Sequence, residues 1–361
     1  MVVFAPLTRP VLRRVPVARL STPSRCNSTS NLRDTLFPLR LPPVYSDLTP
    51  SSSHALAITL SSFLPAEWTL KSPVAALPRN NAGAPALPPP SPSLPLAPTH
   101  HLVYFNPALP AEHLLPDGTD PLQSPGEQYP RRMWAGGYVR WGDRPVPLDG
   151  KRWVCVEGIR DVTIKGREGE EKVFVGIERR IGQPERKLWT EDEDDWGEAW
   201  LIERRNIVFM RGRSPEQAKA EVSKGGKVVK RMTMVTALHA PDFSHTIVPT
   251  PSLLFRYSAL TFNAHAIHLD PAYCRDVEGH RDLLFHGPLS LTFLTTLVHN
   301  NIEPGKRIVS IEYRNVAPLY CNEPIKFCGR KVEKGNGDLE RYDVWAETPE
   351  GGLAVKGTAW T

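Results

Sequence analysis

Three things are scarce in this chain of 361 residues: cysteine, long apolar runs and, over its first 33 positions, negative charge. The five cysteines, Cys26, Cys155, Cys274, Cys321 and Cys328, form no Cys-x-x-Cys pair and are few for the length, which fits free thiols in a reducing compartment. Cys321 and Cys328 read as packing residues rather than metal ligands. No run approaches the roughly 18 apolar residues that cross a bilayer, so no membrane span is expected. From Met1 to Arg33 there is no Asp or Glu, while Arg9, Arg13, Arg14, Arg19, Arg25 and Arg33 lie among serines and threonines. That is the composition of a mitochondrial transit peptide, with Pro6, Pro10 and Pro16 interrupting a continuous amphipathic helix. A basic tail that binds acidic surfaces is the alternative. Without the six arginines the formal charge falls from +5 to about −1. The basic balance therefore belongs to the leader and gives no argument for nucleic-acid binding.

Proline, by contrast, is abundant: 37 residues, about twice the usual share. Residues 73–100 hold nine of them in 28 positions, too many for the interior of a helix or sheet, and read as an extended linker or surface insertion. Before it, His54 to Leu64 can form one apolar helix. After it come strand-like runs at Met133–Trp141, Arg152–Ile164, Lys172–Ile181 and Trp200–Met210, divided by charged, turn-rich loops. The acidic run Glu191–Asp195 reads as a solvated loop.

From Arg211 to Lys230 the chain turns polar and basic, as an inter-domain crossover does. The second half then repeats the order of the first. Phe243–Thr261 reads as extended and Pro288–Asn300 as helical. Strands follow at Arg307–Val316, Ile325–Val332, Arg341–Thr348 and Leu353–Trp360. In the first of these Val309, Ile311 and Tyr313 alternate with Ser310, Glu312 and Arg314, the period of a half-buried strand. In the helix, Leu289, Phe293 and Leu297 recur every four positions, with Leu294 and Val298 beside them, so a largely buried helix is expected. One helix followed by four antiparallel strands, twice, is an α+β pattern. It suits a double hot-dog: two antiparallel sheets, each wrapping a central helix.

The residues that promise chemistry lie in Leu254–Asp270 and Leu284–Leu294, where Asn263, His265, His268 and His286 stand among apolar and small residues. Buried polar groups are costly without partners or a task. His265 and His268, three apart, could ligate a metal on a helix, but no third ligand at conventional spacing supports that. The pair Gly287-Pro288 reads as a helix start whose free amides form a positive, donor-rich end.

The run Tyr257-Ser-Ala-Leu-Thr-Phe-Asn-Ala-His-Ala-Ile-His268, followed by Asp270-Pro-Ala-Tyr273 and His286-Gly-Pro288, resembles the hydratase 2 motif of the MaoC-like (R)-specific enoyl-CoA hydratases and dehydratases. With Pro130-Arg-Arg-Met-Trp-Ala-Gly-Gly137 in the first half, the likeness is to the double hot-dog branch, which holds fungal mitochondrial 3-hydroxyacyl-thioester dehydratase type 2 and mesaconyl-C4-CoA hydratase-like proteins. It covers roughly residues 100–361.

The resemblance implies a hydro-lyase: reversible dehydration of (R)-3-hydroxyacyl thioesters to trans-2-enoyl thioesters. The family's catalytic His falls on His268, suited to accepting and returning a proton near neutral pH. Its paired acid falls on Asn263, an amide that can hold a water or leaving hydroxyl but cannot be a general base. The amide of Gly287 is the expected oxyanion donor, and His265, His286, Leu289 and Tyr257 are the expected substrate-binding residues. No cofactor and no metal is implied. Expected partners are an acyl carrier protein or CoA thioester, with Arg256, Arg307, Arg314, Arg330 and Lys331 as candidate contacts for an acidic carrier, and the chain is expected as monomer or homodimer. Mitochondrial type II fatty-acid synthesis in the matrix is the implied setting. A mesaconyl-C4-CoA hydratase-like enzyme and a non-catalytic acyl-thioester-binding protein are the alternatives. The expected divisions are a leader at 1–33, an N-terminal hot-dog at 34–210 with its insertion at 73–100, a linker at 211–240 and a C-terminal hot-dog at 241–361.

Overall fold

The strands expected from alternating apolar and polar residues all form, and they join in one sheet. The structure, a computed structural model, describes residues 29–37, 39–70, 86–224, 240–332 and 339–361. In the N-terminal half the strands are β1 (Val44–Asp47), β2 (Arg131–Trp141), β3 (Arg152–Lys165), β4 (Lys172–Gly182) and β5 (Leu201–Met210). In the C-terminal half they are β6 (Phe243–Ile247), β7 (Ser310–Asn315), β8 (Ile325–Val332), β9 (Arg341–Glu347) and β10 (Leu353–Trp360). Their order across the ten-stranded antiparallel sheet is β1-β3-β4-β5-β2-β7-β10-β9-β8-β6. Each half therefore uses its strands in the order first, third, fourth, fifth, second. The halves meet edge to edge, β2 against β7, with Gly137 opposite Tyr313 and Val139 opposite Ile311. The expected pair of sheets is thus a pair of like half-sheets hydrogen-bonded into one, which leaves neither inner edge exposed.

Five helices matter to the site: α1 (Thr29–Leu36), α2 (Pro50–Ser61), α3 (Pro215–Ser223), α4 (Pro251–Leu260) and α5 (Gly287–Asn301). The helix α5 lies in the concavity of the C-terminal half-sheet and packs on β6 to β9 and on β2. Leu289, Leu291, Phe293, Leu294, Leu297 and Val298 are buried on it. Full burial of such side chains contributes about 1.5–3 kcal/mol each. Its buried hydroxyls are satisfied within the helix, Thr292 bonding Pro288 O at 3.0 Å and Thr295 bonding Leu291 O at 2.7 Å.

The N-terminal half is filled differently. Its helix α2 packs on α4 and on the 3-10 turn His100–Val103. Over its half-sheet, α1 covers one end, with Leu32 and Leu36 against Val173, Val175 and Phe209. The rest of that concave face opens onto a cavity.

Several expectations need correcting. Phe243–Thr261 is extended only through Ile247; from Pro251 it is α4, begun by proline in the first turn and by Thr250, whose hydroxyl accepts from the Leu253 amide. Leu253, Leu254, Tyr257 and Ser258 give α4 its buried face, a spacing of three and four that suits a helix and not a strand. The crossover contains α3, opened by a capping box between Ser214 and Gln217, while 225–239 lie outside the described residues. The proline-rich stretch is outside them through residue 85. Its end is no surface insertion, since Thr99 and His100 are buried. The proposed leader is outside them through residue 28; its last residues begin α1, and Leu32 on it is buried, so packed structure starts before residue 34. The acidic run is more than a solvated loop: the carbonyls of Asp192 and Asp195, with the Thr190 hydroxyl, surround the buried Arg180 guanidinium.

Candidate active site

The site loop runs from the end of α4 to the start of α5. Thr261 Oγ1 closes the helix on Tyr257 O at 2.8 Å, Phe262 takes a left-handed φ of 51°, and the Asn263 amide returns to Ser258 O at 2.8 Å. Asn263 Oδ1 then accepts from the His265 amide at 3.0 Å, an Asx turn that swings the chain into the 3-10 turn Ala266–His268. Asp270 ends the loop by capping the amides of Ala272 and Tyr273. The short polar side chains near Asn263 therefore shape the loop as well as facing the cavity.

His268 is buried and fixed by its backbone partner. Its Nδ1 lies 2.8 Å from the Leu284 carbonyl oxygen, which can only accept, so Nδ1 carries the proton and Nε2 keeps its lone pair. Burial pushes its pKa down to about 4, which leaves the ring neutral at pH 7. The His286 ring stacks on it with centroids 3.6 Å apart, and His286 Nε2 bonds Ser258 Oγ at 2.9 Å. Tyr257 meets His286 edge-on at 5.0 Å. His265 meets His268 edge-on at 5.7 Å, and its Nε2 lies 3.4 Å from Asp117 Oδ2 in the other half of the chain. Burial holds His265 and His286 well below the ordinary imidazole range. Three neutral imidazoles thus stand together.

A cavity of about 670 Å³ opens in front of this cluster. His268, His265, Asn263, Gly287 and Tyr257 line it, so the structure brings five of the seven expected site residues together. His286 and Leu289 do not line it: His286 backs His268 and Leu289 is in the core of α5. At the start of α5 the amides of Gly287 and Leu289 have no carbonyl one turn earlier to bond, whereas Ser290 already donates to His286 O at 3.0 Å. No side chain caps this helix end. A Cβ on Gly287 would lie 2.8 Å from Asn315 Nδ2 and 2.9 Å from Trp134 Cβ. The glycine is required first by the protein's own packing at the seam, where Asn315 Nδ2 donates to Trp134 O at 2.8 Å and Trp134 Nε1 to the Tyr313 hydroxyl at 2.6 Å.

The N-terminal half supplies the far wall. Ile177, Ile207 and Leu114 give it an apolar part. Beside them Glu157 and Arg205 belong to a buried network in which Arg179 binds Glu157 at 2.9 Å and Glu203 at 3.1 Å, and Arg205 binds Glu203 at 2.8 Å. Arg132 also lines the cavity, its guanidinium over the Phe209 ring at 5.0 Å, and its Nε has no hydrogen-bond partner among the described residues. The mouth carries exposed Phe255 and Phe262. Of the basic residues expected to face a carrier, Arg256 on α4 adjoins this mouth and is exposed, as is Arg314. Arg307, Arg330 and Lys331 are engaged with Asp143, Asp343 and Glu340.

Asp117 and Arg132 are site residues that sequence reasoning missed. Arg132 stood inside the quoted run Pro130–Gly137, which was a usable signal. Asp117 had none: a lone Asp before Gly118 looks like any turn.

The sequence profile described as hydroxyacyl-thioester dehydratase type 2 matches residues 99–321. The chain is 34% identical over 272 residues to mesaconyl-C(4)-CoA hydratase of Chloroflexus aurantiacus, covering 74% of this chain and 85% of that protein. It is 27% identical over 276 residues to the mitochondrial hydroxyacyl-thioester dehydratase type 2 of Schizosaccharomyces pombe, covering 74% and 87%. Among solved structures, a MaoC-like dehydratase from Phytophthora capsici superposes with a TM-score of 0.57 at 14% identity, covering 91% of this chain and 97% of that one. At that identity the likeness concerns the fold, which is the MaoC-like α+β hot-dog.

Proposed function

The chain belongs to the hydroxyacyl-thioester dehydratase type 2 family, and from that premise we propose that it is a hydro-lyase interconverting (R)-3-hydroxyacyl and trans-2-enoyl thioesters. The observation that carries this reading is His268, a neutral imidazole whose Nδ1 is committed to Leu284 O and whose ring lines a cavity beside the unsatisfied amides of α5. In the dehydration direction His268 Nε2 takes the α-proton. The electron pair of the broken C–H bond becomes the new C=C bond as the C3–O bond breaks, and charge that builds on the thioester oxygen meets the Gly287 N–H. The proton on His268 passes to the departing hydroxyl, which leaves as water. Asn263, with Oδ1 committed to the loop, keeps its NH₂ group to donate to that oxygen.

The setting we propose is mitochondrial type II fatty-acid synthesis in the matrix, on intermediates linked to acyl carrier protein. It is supported by the arginine-rich, acid-free start of the chain and by yeast relatives whose names place them in mitochondria. Arg256 beside the mouth suits an acidic carrier. Among the described residues no helix is long and apolar enough to cross a membrane. The assay is hydration of crotonyl-CoA, and of the same acyl group on acyl carrier protein, by wild type and His268→Ala. The variant is expected to lose at least about 100-fold in kcat, the usual weight of a positioned acid–base, with an unchanged circular dichroism spectrum. Undiminished turnover would remove His268 from the mechanism, and absence of turnover in the wild type would leave only thioester binding.

Arg132 favours a second reading, a short dicarboxylic acyl-CoA of the mesaconyl kind. The Arg132 guanidinium is half-buried, and its Nε has no hydrogen-bond partner among the described residues, so a substrate carboxylate in the cavity would give it a charge-assisted partner. On this reading Arg132→Met lowers kcat/KM for mesaconyl-C4-CoA at least tenfold more than for crotonyl-CoA. An equal loss on both substrates removes the carboxylate from the argument.

A further inference from the structure

The carboxylate absent at position 263 is present in the site from another direction. Residues 115–119 make a tight turn, the Leu115 amide bonding Thr119 O at 2.7 Å and the Gly118 amide bonding Leu115 O at 2.8 Å. This turn rests directly on the site loop. Ala266 donates its amide to Asp117 O at 2.8 Å. Gly118 has a φ of +82°, and a Cβ there would run into the Ala264 carbonyl. Asp117 is 5% exposed and so is His265. One oxygen of Asp117, Oδ1, is held by the Thr119 amide at 2.9 Å and the Thr119 hydroxyl at 2.6 Å. The other, Oδ2, lies 3.4 Å from His265 Nε2, and neither of these two buried atoms has a hydrogen-bond partner among the described residues.

We infer that Asp117 is a positioning residue for the reaction: it fixes the tautomer and orientation of His265, so that His265 Nδ1 offers a lone pair to the hydroxyl or water in the cavity. An ionised carboxylate can only accept, so the nitrogen facing it, Nε2, carries the proton and Nδ1 does not. The depressed pKa of the buried His265 ring keeps it in this neutral form. The two imidazoles are then complementary. His268 has its proton on Nδ1, held by a carbonyl, and works through Nε2; His265 has its proton on Nε2, drawn to the Asp117 carboxylate 3.4 Å away, and works through Nδ1. Proton transfer stays with His268. His265 accepts a hydrogen bond from the O–H of the water or substrate hydroxyl and so turns an oxygen lone pair toward C3, a task an amide at position 263 shares only as donor. The acid is supplied by the N-terminal half, and the site is complete only across both halves.

The test is Asp117→Asn, which keeps the shape and an oxygen for Thr119 but presents an NH₂ to His265. With a donor opposite Nε2, the proton moves to Nδ1 and the lone pair is lost from the cavity. The expected results are a fall in kcat for enoyl-thioester hydration on the order of 100-fold, with KM within about twofold, and an exchange of the His265 ring ¹⁵N shifts between their N–H and lone-pair positions. The inference rests on the hydro-lyase reading, but the ring shifts do not. If wild type fails to hydrate any enoyl thioester, the function falls while the tautomer measurement still decides the role of Asp117. Wild-type kcat in Asp117→Asn overturns the inference, and so does a lowered kcat with unchanged ring shifts, since that marks a merely structural aspartate.

Discussion

A buried neutral imidazole is useful to catalysis and a liability in acid. His268, His100 and His280 are each pushed to about 4 with burial as the main cause, and His265 and His286 are driven well below the ordinary value. In the unfolded chain all five titrate near 6.5. Between these values the unfolded state binds more protons than the folded one, so stability is whole above about 6.5 and falls as the pH drops toward 4. A single ring shifted as His268 is contributes on the order of 3 kcal/mol to that loss. The melting temperature is therefore expected to be flat from pH 8 to 7 and to fall steeply between pH 6.5 and 4.5. A midpoint unchanged at pH 4.5 would contradict the burial of these rings as protonation-sensitive groups. At this scale the sequence singled out His268 and Gly287 before Pro288, all three of which the structure sets at the cavity. It was silent on Asp117, because a contact between distant segments leaves no local period. It also cast Leu289 as a binding residue, where the spacing of four that sets Leu289, Phe293 and Leu297 on one buried face of α5 was already the simpler guide.

At the scale of elements, alternation and turn chemistry located eight of the ten strands to within a few residues, Ile325–Val332 and Leu353–Trp360 at their full lengths, but gave no sign of β1 and ran β6 on into α4. What alternation does not carry is how elements meet. The Gly136-Gly137 pair shows this. Their φ values are +134° and +154°, and a Cβ on Gly136 or Gly137 would run into the Tyr313 or Arg204 carbonyl respectively. Two strands, β5 and β7, close on β2 from either side at this point, and only glycine leaves room for both. The run Trp134–Gly137 is thus a seam, with Trp134 bonded across it to Tyr313 and shielding the start of α5. In the sequence one strand-like run, Met133–Trp141, passes through both glycines without showing why glycine stands there. The helix α4 was hidden for the opposite reason: its β-compatible residues, Leu253 to Tyr257, read as extended until the proline and threonine at its start are weighed as a cap.

For the whole molecule, one strand order used twice has been put to two uses. The C-terminal half keeps a buried helix, opens the start of that helix onto the cavity and carries the imidazoles. The N-terminal half leaves part of its concave face open, and so provides the cavity wall, Arg132 and Asp117. The halves are tied by the β2–β7 pairing, by Arg131 binding Glu278 at 2.7 Å, and by the Ala266 amide on Asp117. Arg131, Glu278 and the facing edges of β2 and β7 are all covered in the joined molecule, so separation would expose an ion pair's partners and two strand edges at once. A polypeptide of residues 240–361 contains His268, Asn263 and Gly287, yet it lacks the wall that excludes water and the acid that orients His265. It is expected to show no hydration of crotonyl-CoA by itself. Co-expressed with residues 1–224, it is expected to co-purify with that partner and to recover turnover, because the seam is made of complementary edges that need no covalent link. Hydration by the C-terminal polypeptide alone at a rate near that of the whole chain would show that the second half is a complete enzyme and the first only its support.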